Sequence, residues 1–242
     1  MDLVHISNWR SGHNFIQNNI KSWKTFDTVF EIENAGPKDF DIYCQKRKFK
    51  ISENKLIIIN TRDLLNWFAS TYMFGFKPYM AARKIAFREQ DPRRLFDYYS
   101  KKYEDDPYLI ERLISWKEIT EEVFGGTNYI KDKISISYER FKNEKEYREG
   151  ICNKIGGEYN EDHLERVPRN GAHSTWDHKD FQFNGSQMKT EERFLKILET
   201  DQAENWKKIL SKAPEVLDTY EKYFELSNQQ KEIVSEIREL KK

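Results

Sequence analysis

The stretch Lys55–Thr61 reads Lys-Leu-Ile-Ile-Ile-Asn-Thr, and it limits what this chain can fold into more than any other segment. Leu56, Ile57, Ile58 and Ile59 are consecutive apolar residues, so neither face of such a strand suits water. A run of this kind belongs inside a parallel sheet covered on both sides. Parallel neighbours need long crossover connections, usually helices, and the flanking sequence supplies them. Leu3–Ser7 is a short apolar strand. A polar turn, Asn8-Trp9-Arg10-Ser11-Gly12-His13, follows it, and Asn14–Trp23 then sets Phe15, Ile16, Ile20 and Trp23 at helical spacing. Thr28–Ile32 is a second strand, ended by the breaker Asn34-Ala35-Gly36-Pro37. Asp41–Cys44 reads as a short strand or an extended loop.

Further on, a helix is predicted from Leu64 to about Tyr72. Lys77–Asp106, rich in aromatic and charged residues, reads as two irregular helices. Tyr108–Phe124 is an amphipathic helix stopped by Gly125-Gly126, Lys133–Tyr138 alternates as a strand, and Glu144–Ile155 is a helix closed by Gly156-Gly157. Val167–Gly185 has no periodicity and reads as a long loop. Thr190–Leu240 holds two or three helices with a break near Ala213-Pro214. Strands alternating with helices predict an α/β fold, a three-layer sandwich around a mainly parallel central sheet with a helical C-terminus.

The chain has 242 residues, of which 38% are apolar, enough for one sizeable core. A single domain over residues 1–242 is expected, its C-terminal helices from about residue 188 packed on it or extending from it. The last helix is highly charged and leaves a homodimer open. Forty-one basic and 41 acidic side chains cancel, so nothing pulls the whole chain toward nucleic acid or an anionic membrane. An anionic ligand must be held by local cations. Mean hydropathy is −0.90, and no apolar run reaches the roughly 20 residues that span a bilayer. The N-terminus reads as a strand rather than a signal peptide. Cys44 and Cys152 form no framework, and the five histidines (His5, His13, His163, His173, His178) form no metal-ligand pair. A cytoplasmic setting without a metal is expected.

In open parallel sheets ligands bind beyond the C-terminal strand ends, so the turns after the first strand and after Lys55–Thr61 are the places to look for chemistry. In the first, the helix N-terminus offers free N–H groups to a phosphate, Gly12 allows close approach, and Arg10 adds a fixed charge. The same residues also make an ordinary turn with a capping serine. In the second, Arg62 ends the strand and Ser70 lies about two helical turns on; both can meet one phosphate, or Arg62 can pair at the surface while Ser70 fills a helix. A third stretch, Arg169-Asn170-Gly171 followed by Trp176, is a basic loop able to fold over an anion or simply to lie in solvent. GxxxxGK[ST] is absent, which argues against an ATP or GTP hydrolase.

Taken in order, the Arg-Ser-Gly loop, Arg-x7-Ser, a strand ending in Tyr138-Glu139 and Arg-x-Gly-x4-Trp resemble the sulfotransferases that use 3′-phosphoadenosine 5′-phosphosulfate (PAPS), from Leu3 to about Trp176. The resemblance implies their P-loop-like fold and PAPS as donor co-substrate. It implies that Arg10, Ser11, Gly12, His13, Asn14 and Phe15 surround the 5′-phosphosulfate, with Phe15 offering a ring to the adenine. It assigns the 3′-phosphate to Arg62, Ser70 and the Arg169-Asn170-Gly171 loop, and sets Tyr138 near the adenine. The chain departs from the family where Arg10 replaces the usual lysine and where His13 and Asn14 replace two threonines. Arginine keeps the charge but does not readily give up a proton, so its part is electrostatic. A base must take the acceptor's proton. No histidine lies between His13 and Arg62, so the candidates are Glu31 and Glu33, with His13 as a third. Strand alternation puts both glutamates on one face, and Glu33 is nearer the C-terminal end, so Glu33 is chosen. Lys46 is a further candidate for charge or acceptor binding. The acceptor, a small molecule or carbohydrate, is expected against Lys77–Tyr103, which carries Tyr79, Arg83, Lys84, Phe87, Arg88, Arg93, Arg94, Phe96, Tyr98 and Tyr99. Two alternatives stay open: a P-loop-type nucleotide or small-molecule kinase, and a sulfotransferase-like protein that binds without catalysis.

Overall fold

The computed structural model of the chain describes residues 1–8, 10–33, 36–76, 107–164 and 190–240. They form two compact units, one of residues 1–64 and 115–189, the other of residues 65–114 and 190–242.

The first unit is α/β. Strands β1 (Asp2–Ser7), β2 (Val29–Glu33), β3 (Lys55–Thr61) and β4 (Lys133–Ser137) form an all-parallel sheet in the order β2-β1-β3-β4. Ser7 pairs with Glu33 on one side and with Asn60 on the other, and Thr61 pairs with Ser137. The chain therefore leaves β1 toward one edge and returns to its other side. That reversal makes a crevice beyond the ends of β1 and β3, the position where open α/β sheets take ligands.

Both sheet faces are covered, as the apolar run in β3 requires. Leu3, Ile58 and Ile136 point to one face, where they pack with Ile16, Ile20 and Trp23 of α1 (His13–Trp23), Phe141 of α5 (Tyr138–Asn143), and Ile151 and Ile155 of α6 (Lys145–Ile155). Val4, Ile6, Ile57 and Ile59 point to the other, against Phe40, Tyr43 and Cys44 of α2 (Phe40–Arg47) and Ile119 and Val123 of α4 (Pro107–Val123). Burying one such isoleucine contributes about 1.5–3 kcal/mol, so the strand can hardly slip by a residue without losing several contributions together.

The second unit is helical among its described residues: most of α3 (Leu64–Phe76), the start of α4 up to Ile114, α7 (Arg193–Leu198), α8 (Ala203–Ser211), α9 (Pro214–Tyr223) and α10 (Asn228–Glu239). Trp67, Phe68, Tyr72, Trp206 and Tyr220 are fully buried, with Phe68 and Trp206 stacked at 6.1 Å. Ser227 and Gln230 form a reciprocal capping box at the start of α10.

Three expectations are corrected. Asp41–Cys44 lies inside α2 rather than in a strand or loop. Phe40, Tyr43 and Cys44 sit at i, i+3 and i+4 and meet the same core cluster, and Lys48 closes the helix in the left-handed region at φ 55°. The fourth strand stops at Ser137, and Tyr138 opens the extra helix α5, which turns Tyr138 and Phe141 inward. The C-terminal stretch forms four helices rather than two or three; the break at Ala213-Pro214 is present, with the proline in the first turn of α9. No described helix is long and apolar enough to cross a membrane.

Candidate functional site

The loop that leaves β1 holds two residues in the left-handed region, Arg10 at φ 66° and Gly12 at φ 85°. Glycine adopts that conformation freely, whereas arginine gives up about 1–2 kcal/mol. Surrounding bonds hold the loop in place. Asn8 O accepts from Ser11 N at 3.2 Å and from Ser11 Oγ at 2.6 Å. From β3, Asn60 Nδ2 donates to Ser11 O at 2.9 Å. The other end of the Asn60 amide faces His5 Nε2 at 2.7 Å. Burial first, and the neighbouring His13 second, push His5 well below the usual histidine range, so it is neutral and donates to Asn60.

Gly12 is also needed for space, since a Cβ there would overlap the ring of Tyr138. That ring receives the Arg62 guanidinium 4.9 Å from its centroid and the edge of Phe15 at 6.0 Å. Arg62, 2% exposed at the end of β3, donates through Nη1 to Arg10 O at 3.1 Å. Its own carbonyl accepts from Trp116 Nε1 at 2.8 Å. Arg10 is partly buried; that burial and then the charge of Arg62 push it down to about 10, while Glu33 acts in the opposite direction. Arg10 remains charged at neutral pH. Two like charges gathered at one crevice favour an anion there.

The first turn of α1 adds main-chain donors. Gly12 is its N-cap, without a side-chain cap, and no acidic residue sits in the first turn. Asn8, fully buried at the base of the loop, uses Oδ1 to accept from Ser115 Oγ at 3.0 Å, while its Nδ2 has no partner among the described residues. A buried donor left over beside a helix N-terminus is what an anion site would use.

The candidate bases separate. His13 is 5% exposed and stacks on His5 at 4.2 Å. Its Nδ1 lies 3.0 Å from Ser7 Oγ and its Nε2 lies 3.3 Å from Gln17 and 3.5 Å from Glu31. Glu31 also accepts from Gln17 at 3.0 Å, and the bond from His13, more than any other contact, draws it down to about 2. His13 and Glu31 are thus joined in one network. Glu33, half-buried at the end of β2, acts instead on Arg10. Asn14 is exposed and Phe15 half-buried. Lys46 is exposed on α2.

Ser70 belongs to the second unit. Its Oγ donates to Asn66 O at 2.9 Å and accepts from Arg193 Nη1 at 3.0 Å, and Asn66 Oδ1 accepts the Arg193 N–H at 2.8 Å. Arg169, Asn170, Gly171 and Trp176 lie outside the described residues, as do Lys77–Tyr103.

Sequence reasoning missed Asn8, Asn60, Glu139 and Arg193. Asn60 carried a signal, being polar in an otherwise apolar strand. Glu139 stands in the Tyr138-Glu139 motif but is given no role of its own there; its Oε1 accepts from Asp63 N at 2.8 Å. A separate cavity of about 470 Å³, bordered by Lys55, Tyr129 and Lys131, lies at the opposite, N-terminal ends of β3 and β4. Comparison with known proteins finds no matching family model, no similar curated protein and no similar solved structure.

Proposed function

We propose that this chain is a sulfotransferase on a three-layer, P-loop-like fold. It would move a sulfuryl group from PAPS to a hydroxyl or amine of a small-molecule or carbohydrate acceptor. The observation that carries this is the meeting of Arg62 with the Arg10 loop at 3.1 Å. Two cations distant in sequence thereby share the crevice beyond β1 and β3. The donor has two anionic groups on one adenosine, and two cations beside an uncapped helix N-terminus suit such a molecule. Asn8 Nδ2, without a partner among the described residues, and the ring of Tyr138 beside Gly12 supply a further donor and an aromatic surface.

Chemically, the acceptor oxygen or nitrogen bonds to sulfur as the bond from sulfur to the bridging oxygen breaks. The acceptor's proton passes to a base, and adenosine 3′,5′-bisphosphate leaves. Such a transfer asks for alignment and for stabilised charge on the departing oxygen. Arg10 and the first N–H groups of α1 take the second task. Glu33 takes the proton, because it lies at the strand end beside Arg10, where the donor's leaving charge is proposed to sit.

A single-turnover assay with PAPS and a panel of hydroxyl and amine acceptors tests this. Acceptor-dependent release of adenosine 3′,5′-bisphosphate is expected, falling about 100-fold in Arg10→Ala, the usual size for a lost donor to the leaving charge. Failure with every acceptor, together with thermal stabilisation by ATP and magnesium instead of the bisphosphate, would contradict it and favour a kinase.

A further inference from the structure

Glu139 sits where β4 passes into α5, and its carboxyl is bonded to the peptide unit that joins Arg62 to Asp63. The N–H of that unit donates to Glu139 Oε1 at 2.8 Å, and its carbonyl accepts from Trp116 Nε1 at 2.8 Å. Ser137 Oγ lies 3.4 Å from the other carboxyl oxygen. The charges that act on Glu139 among the described residues are Asp63, which opposes its ionisation, and Arg62, which favours it. The ring of Tyr138, the adjacent residue, faces Arg62. Glu139 is therefore placed to feel whatever docks against that guanidinium.

We propose that Glu139 is a positioning residue that takes up a proton when a polyanion docks against Arg62, and so couples anion binding at this crevice to pH. This rests on the crevice being the nucleotide site proposed above. The residue keeps some exposure, but its carboxyl is enclosed by protein. That enclosure, followed by Asp63, pushes it up to about 7. An arriving anion offsets the field of Arg62, the charge that holds Glu139 ionised. The complex then binds more protons than the free protein, so affinity rises as pH falls. Far below the transition both states are protonated, and far above it neither is, so affinity is level at both ends. The neutral carboxyl still accepts the Asp63 N–H through its carbonyl oxygen and leaves the position of Arg62 unchanged. One fewer negative charge then faces the ligand.

The test is calorimetric titration of adenosine 3′,5′-bisphosphate into the wild-type chain and Glu139→Gln, near neutral pH, in buffers of low and high ionisation enthalpy. The titration is repeated at about pH 6 and about pH 8.5. The ligand's own phosphates titrate equally in both proteins, so the difference between them reports Glu139. The wild type should take up more protons on binding, and its affinity should fall about fivefold more than that of the variant between the two pH values. Binding with equal proton uptake and parallel pH profiles would overturn the role of Glu139 while leaving the site intact. Absence of binding by the wild type at every pH would overturn the site and the proposal together. Should Glu139→Gln fail to fold, Asp63→Asn removes the neighbour that opposes ionisation. It should move the wild-type transition to lower pH, and an unmoved transition overturns the proposal.

Discussion

Arg62 donates from Nη1 to the main-chain carbonyl of Arg10 at 3.1 Å, tying the end of β3 to the left-handed residue of the loop after β1. The contact joins residues 52 positions apart at the point where the sheet order reverses. It also brings the charge of Arg62 to bear on Arg10.

Gly12→Ala should be costly for two separable reasons. The backbone at φ 85° would impose about 1–2 kcal/mol on a residue with a Cβ, and that Cβ would overlap the Tyr138 ring. Thermal melts of Gly12→Ala, Tyr138→Ala and the double variant should show partial relief in the double variant. Strict additivity would mean that the ring and the loop are not coupled.

Glu33→Gln should keep affinity for adenosine 3′,5′-bisphosphate and lose at least about tenfold in sulfuryl-transfer rate, the lower range of acid–base contributions. Single-turnover rates measure this directly, and a near-normal rate would remove Glu33 as the base.

Glu31 gives a pH dependence of stability. Its carboxyl lies at about 2 in the fold against an ordinary 4.5, chiefly through the bond from His13. A lowered acid stabilises the fold above its unfolded value and loses that contribution as pH falls toward the folded one. Urea melts at about pH 6 and about pH 3 should therefore show a larger acid-induced loss for the wild type than for Glu31→Gln. Equal losses would mean that the His13–Glu31 contact contributes nothing to stability.

Much of the sheet was legible because its signals are local. The apolar run of Lys55–Thr61 is buried on both faces, as a parallel strand should be, and the opening strand and helix are displaced by one residue at most. α2 was missed although Phe40, Tyr43 and Cys44 had helical spacing, because its exposed face also carries Ile42, half exposed at 50%, which blurs the stripe. α5 leaves no legible signal because six residues are too few to show a period, and Tyr138 extends the alternation of the strand before it.

At the site, Arg10, Gly12, Arg62 and Tyr138 were readable as residue types at turns and strand ends. Their mutual contacts were not, because a cation above a ring and a side chain on a distant carbonyl leave no trace in spacing. Asn60 and Glu139 act through bonds to main-chain atoms of other loops, which any sequence there would supply. The resemblance pairs Ser70 with Arg62, whereas Arg193, which reaches the Ser70 hydroxyl from 123 residues away, has no local signature.

The nucleotide site itself is tested most directly by calorimetry with adenosine 3′,5′-bisphosphate and with adenosine 5′-phosphate, which lacks the 3′-phosphate. The wild-type chain should prefer the bisphosphate, and Arg62→Ala should bind it at least about tenfold more weakly, the usual range for a charge-assisted contact, with the preference reduced. Equal affinity of wild type and Arg62→Ala for the bisphosphate would contradict the assignment of this crevice to the donor.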